Sequence, residues 1–259
     1  MPSALITGAS SGIGEQFAYA LARQGCALVL TARRAERLQA VAAQAQNLGA
    51  PAVAIFPADL GQRAAPARLY REVTSAGLTI DVLVNNAGFG TRGRFDQLAL
   101  EREIEQIDLN VSALVALTHL FAADMIAARR GAIINVASTA GFQPVPYMAT
   151  YAATKAFVQS FSLALYHELA DTGVHVMALC PGATRTEFQQ VARNGDTVPS
   201  FIYMDASTVV AQALRALKKR RSLCINGAIN KMATQAQRTA PRWLVGKIAA
   251  MLYRPRPPA

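Results

Sequence analysis

The sequence predicts an α/β fold: a doubly wound, about seven-stranded parallel sheet with helices on both faces. Short apolar, β-branched runs alternate with longer segments of helical periodicity, which is the pattern of successive βαβ units. Hydrophobic residues make up 52% of the 259-residue chain, as a sheet covered on both faces requires. A glycine-rich turn follows the first apolar run, where a strand would pass into a helix.

The predicted strands and helices alternate along the chain. Strands are expected near residues 3–8, 27–32, 52–56, 81–85, 132–137, 174–180 and 222–226. Helices are expected near 12–24, 34–48, 62–76, 97–128, 151–171, 205–219 and 241–252. Right-handed crossovers between the strands then give a doubly wound sheet. Because no repeat or linker divides the chain, we expect one domain over residues 1–259, with a frayed proline-rich end.

Charge is distributed unevenly along the chain. Residues 1–205 hold 15 of the 26 basic residues and all 16 acidic ones, a balance of −1. Residues 206–259 hold the other 11 basic residues and no acid, a balance of +11. The positive charge therefore belongs to the C-terminal fifth of the protein and needs its own explanation.

Three explanations of this basic C-terminal extension, about residues 228–259, stay open. It forms a solvated face with subunit contacts, it is attracted to anionic membrane surfaces, or it docks an acidic carrier or phosphorylated substrate. The membrane explanation is based on Leu244, Ile248, Met251 and Leu252, which recur at helical spacing beside Trp243. No nucleic-acid partner is expected, since charge alone permits one but no motif supports it.

The cysteines and the lack of a targeting pattern limit the classes of protein to which this chain can belong. Cys26, Cys180 and Cys224 are odd in number and far apart, so we expect buried thiols and no disulfide. No metal site is expected, because no Cys/His cluster has ligand spacing. No apolar run reaches bilayer-spanning length and the N-terminus lacks a signal-peptide pattern, so we expect a cytoplasmic protein.

A nucleotide-binding turn is predicted near the N-terminus. The first strand runs into Thr7 and then into Gly8-Ala9-Ser10-Ser11-Gly12-Ile13-Gly14, where a helix begins. Glycines allow a tight turn and close approach to a pyrophosphate, and the helix N-terminus supplies unpaired N–H groups. The spacing G-x-x-x-G-x-G differs from the G-x-G-x-x-G of many dinucleotide folds, and an ordinary strand-to-helix turn is the alternative.

The end of the second predicted strand bears on the choice of cofactor. Sites that prefer NAD usually place an acid about 20 residues after the glycines, where it binds the ribose hydroxyls. Ala32 stands at that position here, and Arg33 and Arg34 follow it. Because a guanidinium can clamp a 2′-phosphate, the sequence predicts NADPH/NADP+ rather than NADH. The alternative is a solvated start to the next helix.

Tyr151 and Lys155 are four residues apart, on one face of a predicted helix, and Ser138 precedes them at a strand end. The three suit carbonyl reduction, in which Tyr151 protonates the developing alkoxide and Ser138 binds it. The reference pKa of tyrosine is about 10, and lowering it by about three units requires roughly 4 kcal/mol. We expect the Lys155 ammonium, a positive nicotinamide ring and a low-dielectric pocket to supply this stabilisation.

Taken together, these motifs resemble those of the short-chain dehydrogenase/reductase family, a Rossmann-fold family, in its compact NADP-preferring branch. The resemblance covers about residues 3–227. The matching segments are the glycine turn, Asn85-Asn86-Ala87-Gly88, and Pro181-Gly182 with Thr186. Asn110, Ser138, Tyr151 and Lys155 match the family's catalytic tetrad in order and spacing. Asp59 resembles the acid at the adenine end, and Arg33 the NADP-selecting position.

The resemblance implies a role for each matched residue. Tyr151 would be the general acid or base, Lys155 would also hold the nicotinamide ribose, and Asn110 would position a water in a proton relay. A homodimer or homotetramer is implied as well. The cofactor-binding residues expected are Gly8, Ser10, Ser11, Gly12, Ile13, Gly14, Arg33, Arg34, Asp59, Leu60, Asn86, Ala87, Gly88, Tyr151, Lys155, Pro181, Gly182, Thr184 and Thr186.

An apolar substrate is expected from the residues around this site. Phe89, Phe142, Val145, Pro146 and Met148 flank it, and residues 186–206 would form an apolar lid with Phe188, Phe201, Ile202, Tyr203 and Met204. Apolar walls favour an aliphatic, aromatic or lipid-like carbonyl compound, although the same residues suit core or subunit packing equally well.

The sequence therefore predicts an oxidoreductase that interconverts a ketone or aldehyde and an alcohol with NADPH. The competing hypothesis is a regulatory protein of the same fold that senses the nucleotide. The full set of Asn110, Ser138, Tyr151 and Lys155 favours the enzyme, because a binding protein would not need it.

Overall fold

The computed structural model describes residues 2–188 and 203–254. Its strands are β1 (Ser3–Thr7), β2 (Ala27–Thr31), β3 (Val53–Ile55), β4 (Val82–Asn85), β5 (Gly131–Val136), β6 (Val174–Cys180), β7 (Thr184–Arg185), β8 (Met204–Asp205) and β9 (Leu223–Ile225). Seven of them form one sheet in the order β3-β2-β1-β4-β5-β6-β9, with every pair parallel. The predicted parallel sheet is therefore confirmed.

Helices connect the strands and cover the sheet. They are α1 (Gly12–Ala22), α2 (Ala35–Asn47), α3 (Ala65–Ser75), α4 (Leu100–Ile107), α5 (Ala113–Ala127), α6 (Ala149–Glu168), α7 (Ala206–Lys218), α8 (Ala228–Thr239) and α9 (Arg242–Tyr253). The central strand β1 shows that both faces are buried. Its Ile6 packs in a core with Phe17 of α1 and Leu38 of α2, whereas Leu5 packs in a separate core with Phe121 of α5.

The helix predicted over residues 97–128 is not regular. A short 3₁₀ turn at Phe95–Gln97 precedes α4, and a π-helical turn at Asp108–Ser112 joins α4 to α5. The helical stretch Leu100–Ala127 is long and apolar enough to cross a membrane, contrary to the expectation from sequence. Its inner side chains, such as Leu117 and Phe121, are buried in the protein. The core helix of a globular protein has the same length, composition and burial.

Two features were absent from the prediction. Helix α8 begins after Gly227, which has a φ of +81°, a left-handed conformation that favours glycine. The two-residue strands β7 and β8 pair outside the main sheet. Of the lid expected over residues 186–206, residues 186–188 and 203–206 are described, and the rest lies outside the described residues.

The expectation for the cysteines is confirmed. Cys26, Cys180 and Cys224 are all buried free thiols. Within residues 2–188 and 203–254, no group of three or more His, Cys, Asp or Glu side chains is arranged to hold a metal ion.

Candidate active site

A cavity of about 430 Å³ opens at the carboxyl ends of the strands, where the strand order reverses between β1 and β4. The predicted site residues that line it are Gly8, Ser10, Ser11, Gly12, Ile13, Arg33, Arg34, Asp59, Leu60, Asn86, Ala87, Gly88, Ser138, Tyr151, Lys155, Pro181, Gly182, Thr184 and Thr186. Gly14 and Asn110 are not among the lining residues. The fold thus brings distant parts of the chain to one cavity.

The glycine turn packs tightly against the end of β4. Gly8 has a φ of +63°, and a Cβ there would lie 2.9 Å from the Cα of Ala87. A Cβ on Gly14 would lie 2.3 Å from the carbonyl oxygen of Gly8. Gly14 allows α1 to pack against the turn, because no side chain fits there, and its contact with a cofactor stays a prediction.

Asn86 holds the same turn from the neighbouring strand. Its Nδ2 donates to the carbonyl oxygens of Thr7 at 2.9 Å and Gly8 at 3.2 Å. The Thr7 hydroxyl accepts from the backbone N–H groups of Asn86 and Ala87, both at 2.9 Å. These bonds fix the glycine turn relative to β4.

The turn and α1 fit the pyrophosphate of a dinucleotide. Helix α1 begins at Gly12 after Ser11, whose side chain makes no capping hydrogen bond to the helix. Its first N–H groups therefore keep their capacity to bind an anion, with the helix dipole in support. Gly12 has a φ of +59°, and a Cβ there would lie 2.9 Å from the Thr186 methyl group. A larger residue at this position would therefore meet both a strained backbone and the Thr186 side chain.

The two arginines after β2 are in different environments. The Arg34 Nη2 forms an ion pair with the Glu187 carboxylate at 2.7 Å and donates to the Ser10 hydroxyl at 3.3 Å. Its hydrogen bond holds the pKa of Glu187 below the usual range. Arg33 is exposed, lines the cavity and has no ion pair with any residue in the described part of the chain. Arg33 therefore remains available for a phosphate, whereas Arg34 is partly neutralised.

Ser138, Tyr151 and Lys155 meet at the other end of the cavity. Ser138 precedes the 3₁₀ turn Thr139–Phe142, and its Oγ accepts from the Ala140 N–H at 3.1 Å. Tyr151 and Lys155 lie on the cavity side of α6, and both are buried. The Lys155 Nζ donates to the Val136 carbonyl at 2.8 Å and lies 5.8 Å from the centre of the Tyr151 ring.

Burial changes the acidity of this pair in a way that corrects the expectation from sequence. Desolvation raises the pKa of Tyr151 to about 12, and a hydrogen bond with Ser138 opposes the rise. Desolvation lowers the pKa of Lys155 to about 8. A low-dielectric surrounding was expected to lower the pKa of Tyr151. It raises it instead, because burial disfavours the phenolate itself.

Asn110 lies in the π-helical turn and is almost wholly buried. Its Oδ1 accepts from the Phe89 N–H at 3.1 Å, and its Nδ2 donates to the Phe89 carbonyl at 2.9 Å and to Thr154 at 3.1 Å. A Cβ on Gly88 would lie 2.8 Å from the Asn110 Oδ1 and 3.5 Å from the Lys155 Nζ. Asn110 therefore anchors the loop after β4, and its role in a water relay stays a prediction.

The expected apolar residues divide into two groups. Phe89, Val145, Met148, Phe188 and Tyr203 line the cavity. Phe142, Pro146 and Met204 do not line it, and Phe201 and Ile202 lie outside the described residues. The end of the cavity that holds Ser138, Tyr151 and Lys155 thus has largely apolar walls.

Tyr253 is a cavity residue that the sequence did not reveal. It ends α9, lines the cavity and packs in a cluster with Val145, Met148 and Tyr151. Arg92 fixes it, with Nε donating to the Tyr253 carbonyl at 3.0 Å and Nη2 to the Arg254 carbonyl at 3.0 Å. These partners are about 160 residues apart, so no local pattern links them.

Comparison with known proteins identifies the family of the chain. The family model for short chain dehydrogenases matches residues 2–197. Sulfoacetaldehyde reductase 2 of Chromohalobacter salexigens is 36% identical over 216 residues, which cover 82% of this chain and 85% of that protein. Very-long-chain 3-oxoacyl-CoA reductase of Phaeosphaeria nodorum is 33% identical over 201 residues, 76% of this chain, and the chain covers 59% of that longer protein.

Solved structures show the same fold. A short-chain dehydrogenase from Sphingobium yanoikuyae in complex with NADPH has a TM-score of 0.83 and 37% identity, covering 92% of this chain and 94% of that one. The bulky-bulky ketone specific alcohol dehydrogenase from Comamonas testosteroni has a TM-score of 0.78 and 32% identity, covering 93% and 95%.

The family match begins at β1 and continues past β7, so it includes the glycine turn and the helix that carries Tyr151 and Lys155. The relatives that match over most of their length are named as reductases and dehydrogenases of carbonyl or alcohol groups. The chain therefore belongs to the short-chain dehydrogenase family, whose members are oxidoreductases of carbonyl and alcohol groups.

Proposed function

We propose that the protein reduces a ketone or aldehyde reversibly to an alcohol with NADPH, and that Tyr151 donates the proton. The observation that carries the proposal is that Ser138, Tyr151 and Lys155 line the same cavity as the glycine turn and Arg33. Solved relatives with bound NADPH or NADP support the choice of cofactor.

The chain's own groups bind and protonate the substrate oxygen. NADPH, when bound, supplies the hydride. The hydroxyls of Ser138 and Tyr151 hold the carbonyl oxygen, and Tyr151 transfers its phenolic proton as negative charge develops there. A pKa of about 12 keeps Tyr151 protonated at neutral pH, and reduction requires this protonated form.

Lys155 stabilises the phenolate that remains after proton transfer. Its Nζ lies 5.8 Å from the centre of the Tyr151 ring in a buried setting, where charge attraction is strong. With a pKa of about 8, a protonated Lys155 is a sufficiently strong acid to return a proton towards Tyr151. Asn110 keeps the loop beside Lys155 in place, which preserves this geometry.

The substrate we propose is apolar or lipid-like. Phe89, Val145, Met148, Phe188 and Tyr253 give the catalytic end of the cavity apolar walls, and polar groups are concentrated at Ser138 and Tyr151. Such a pocket discriminates by shape and apolar contact. Relatives named for long-chain 3-oxoacyl-CoA and bulky ketone substrates are consistent with this choice.

A substrate panel tests the proposal. Purified protein is mixed with NADPH or NADH and a series of ketones and aldehydes of increasing apolar size, and nicotinamide absorbance is followed. We expect turnover with NADPH that improves with apolar size. Tight NADPH binding without turnover of any compound would favour the nucleotide sensor instead.

We also propose that the protein is a homodimer or homotetramer. Leu100, Ile104 and Ile107 form an exposed apolar row on α4, and exposed Phe157 on α6 stacks on Phe161. A row of this kind is typical of a subunit contact. Light scattering after size exclusion measures the mass, and a monomer at all concentrations would contradict the proposal.

A further inference from the structure

Helix α9 exposes large apolar side chains on the side that faces away from the protein. Its inner side is closely packed, with Val245 and Ala249 buried and Tyr253 in the cavity. Among the described residues, Trp243, Met232 and Met251 are the most exposed large apolar side chains, at 70%, 69% and 68%. Trp243 and Met251 are both on the outer side of α9.

The exposed side chains form one continuous stripe. We define the outer face of α9 as Trp243, Leu244, Lys247, Ile248, Met251 and Leu252, all of which are exposed. They follow one another at helical spacing, so they share one side of the helix. Lys247 is the only polar residue among the six. A water-facing helix surface normally has the opposite composition, and an apolar patch of this kind marks a binding surface.

The charge around the outer face of α9 is positive. Lys247 lies within it, Lys231 and Arg254 are also exposed on the flanking segments, and no acidic residue follows Asp205 in the sequence. The basic run 218–221 is separate, because it precedes β9 and so lies at the end of the sheet opposite the cavity. The surface that would dock is therefore apolar with a positive surround.

We propose that the outer face of α9 docks on an anionic lipid surface. An exposed tryptophan beside lysine on an apolar helix face is the combination that inserts at a membrane–water interface. Positive charge on a segment with no acidic residue after Asp205 complements anionic headgroups. A second copy of the chain would bring the same positive face and no acid, so like charges would oppose pairing of two such faces.

Docking would bring the substrate cavity close to the lipid. Tyr253 lies on the inner side of the helix whose outer face binds the surface, and it forms part of the cavity wall. An apolar carbonyl compound dissolved in the bilayer would then have a short path to Tyr151. This consequence depends on the proposed function, whereas the docking itself does not.

Sedimentation with vesicles tests the docking. The full chain is mixed with vesicles of phosphatidylcholine alone or of phosphatidylcholine with phosphatidylglycerol, and the bound fraction is measured against salt. We expect binding only to the anionic vesicles, weakened by salt. Replacing Lys247 by Ala should lower the partition constant about fivefold, and the double change Trp243→Ser with Met251→Ser should lower it more than tenfold.

Matched control variants test whether vesicle binding depends on the outer face of α9 or on any exposed charge or apolar side chain of the protein. Lys218→Ala and Ile126→Ser remove an exposed lysine and an exposed apolar residue at the opposite end of the sheet, and both should bind as the unchanged chain does. Circular dichroism confirms that each variant is folded. Equal binding to neutral vesicles, or equal loss in the controls, would overturn the proposal. So would an absence of vesicle binding together with a lower oligomer mass for the double variant, which would assign the face to a second copy.

Discussion

Glu187 and Arg34 form an ion pair that joins the segment after β7 to the end of β2, with 2.7 Å between Oε2 and Nη2. Both residues line the cavity, and Arg34 also donates to the Ser10 hydroxyl of the glycine turn. A carboxylate therefore lies beside the groups that we propose bind the phosphates of NADPH. Because like charges repel, Glu187 should compete with the cofactor for Arg34.

Glu187→Gln should strengthen NADPH binding. The change removes the negative charge and frees the Arg34 guanidinium, and the exposure of the pair limits the gain to about threefold in Kd. Fluorescence titration measures the Kd. Glu72→Gln, which disrupts an exposed pair with Arg68 away from the cavity, is the control and should change nothing. Weaker binding of NADPH by Glu187→Gln would mean that the pair clamps the bound cofactor instead.

Arg33→Ala should weaken NADPH much more than NADH. Arg33 has no ion-pair partner in the described part of the chain, so its charge is available to a 2′-phosphate. Loss of charge-assisted hydrogen bonds of about 2 kcal/mol corresponds to roughly a thirtyfold rise in Kd for NADPH. Arg34→Ala should have a smaller effect, since Glu187 already neutralises that residue. A similar loss for both cofactors in Arg33→Ala contradicts the assignment.

Tyr151→Phe should abolish turnover and leave NADPH affinity nearly unchanged. Phenylalanine keeps the ring but lacks the proton donor, and general acid catalysis is typically worth about 10²- to 10⁴-fold. Steady-state rates and NADPH titration measure the two effects separately. Tyr147→Phe is the matched control, because Tyr147 is near α6 but does not line the cavity, and it should keep full activity. Equal losses of turnover and affinity would show a structural role for Tyr151.

Lys155→Met should stabilise the fold near neutral pH. Burial lowers the pKa of Lys155 to about 8, so the folded state binds a proton less well than the unfolded chain. The buried charge of Lys155 therefore destabilises the fold fully below about pH 8, the pKa in the folded state. This destabilisation decreases as pH rises and disappears above about 10.4, the pKa in the unfolded chain.

We expect Lys155→Met to raise the free energy of unfolding by roughly 2 kcal/mol at neutral pH, after the lost bond to Val136 is deducted. Urea unfolding at several pH values measures it, and the gain should shrink towards about pH 10. Lys219→Met, at an exposed position, is the control. A gain that does not vary with pH would show that packing, not protonation, is responsible.

Tyr253→Ala should raise the KM for an apolar carbonyl substrate and change kcat less. The ring is part of the cavity wall but is not a proton donor in the proposed reaction, so the lost apolar contact weakens binding by roughly tenfold. Trp243→Ala, on the other side of the same helix, should leave KM unchanged for a soluble substrate without lipid. A large fall in kcat for Tyr253→Ala would mean that the ring positions Tyr151.

Much of the fold and site could be predicted from local pattern. All seven strands of the main sheet, the glycine turn, and the cavity positions of Ser138, Tyr151 and Lys155 agree with the expectation. These features depend on residues close together in sequence, such as an i, i+4 pair on a helix or glycines at a strand end. Parallel strands then bring their carboxyl ends to one edge, so several such motifs converge without further information.

The tertiary structure decided the contacts between distant segments. Arg34 forms an ion pair with Glu187, about 150 residues later. Tyr253 lines the cavity, and Arg92, about 160 residues earlier, donates to its carbonyl. Asn110 lies in the π-helical turn, and its side-chain amide hydrogen-bonds the backbone of Phe89. The regular helix predicted over 97–128 did not include this turn. Sequence periodicity encodes which face of a helix or strand is buried. The path of the whole chain decides which distant residues then meet that face. It also decides how completely Tyr151 is removed from water, which is what raises its pKa.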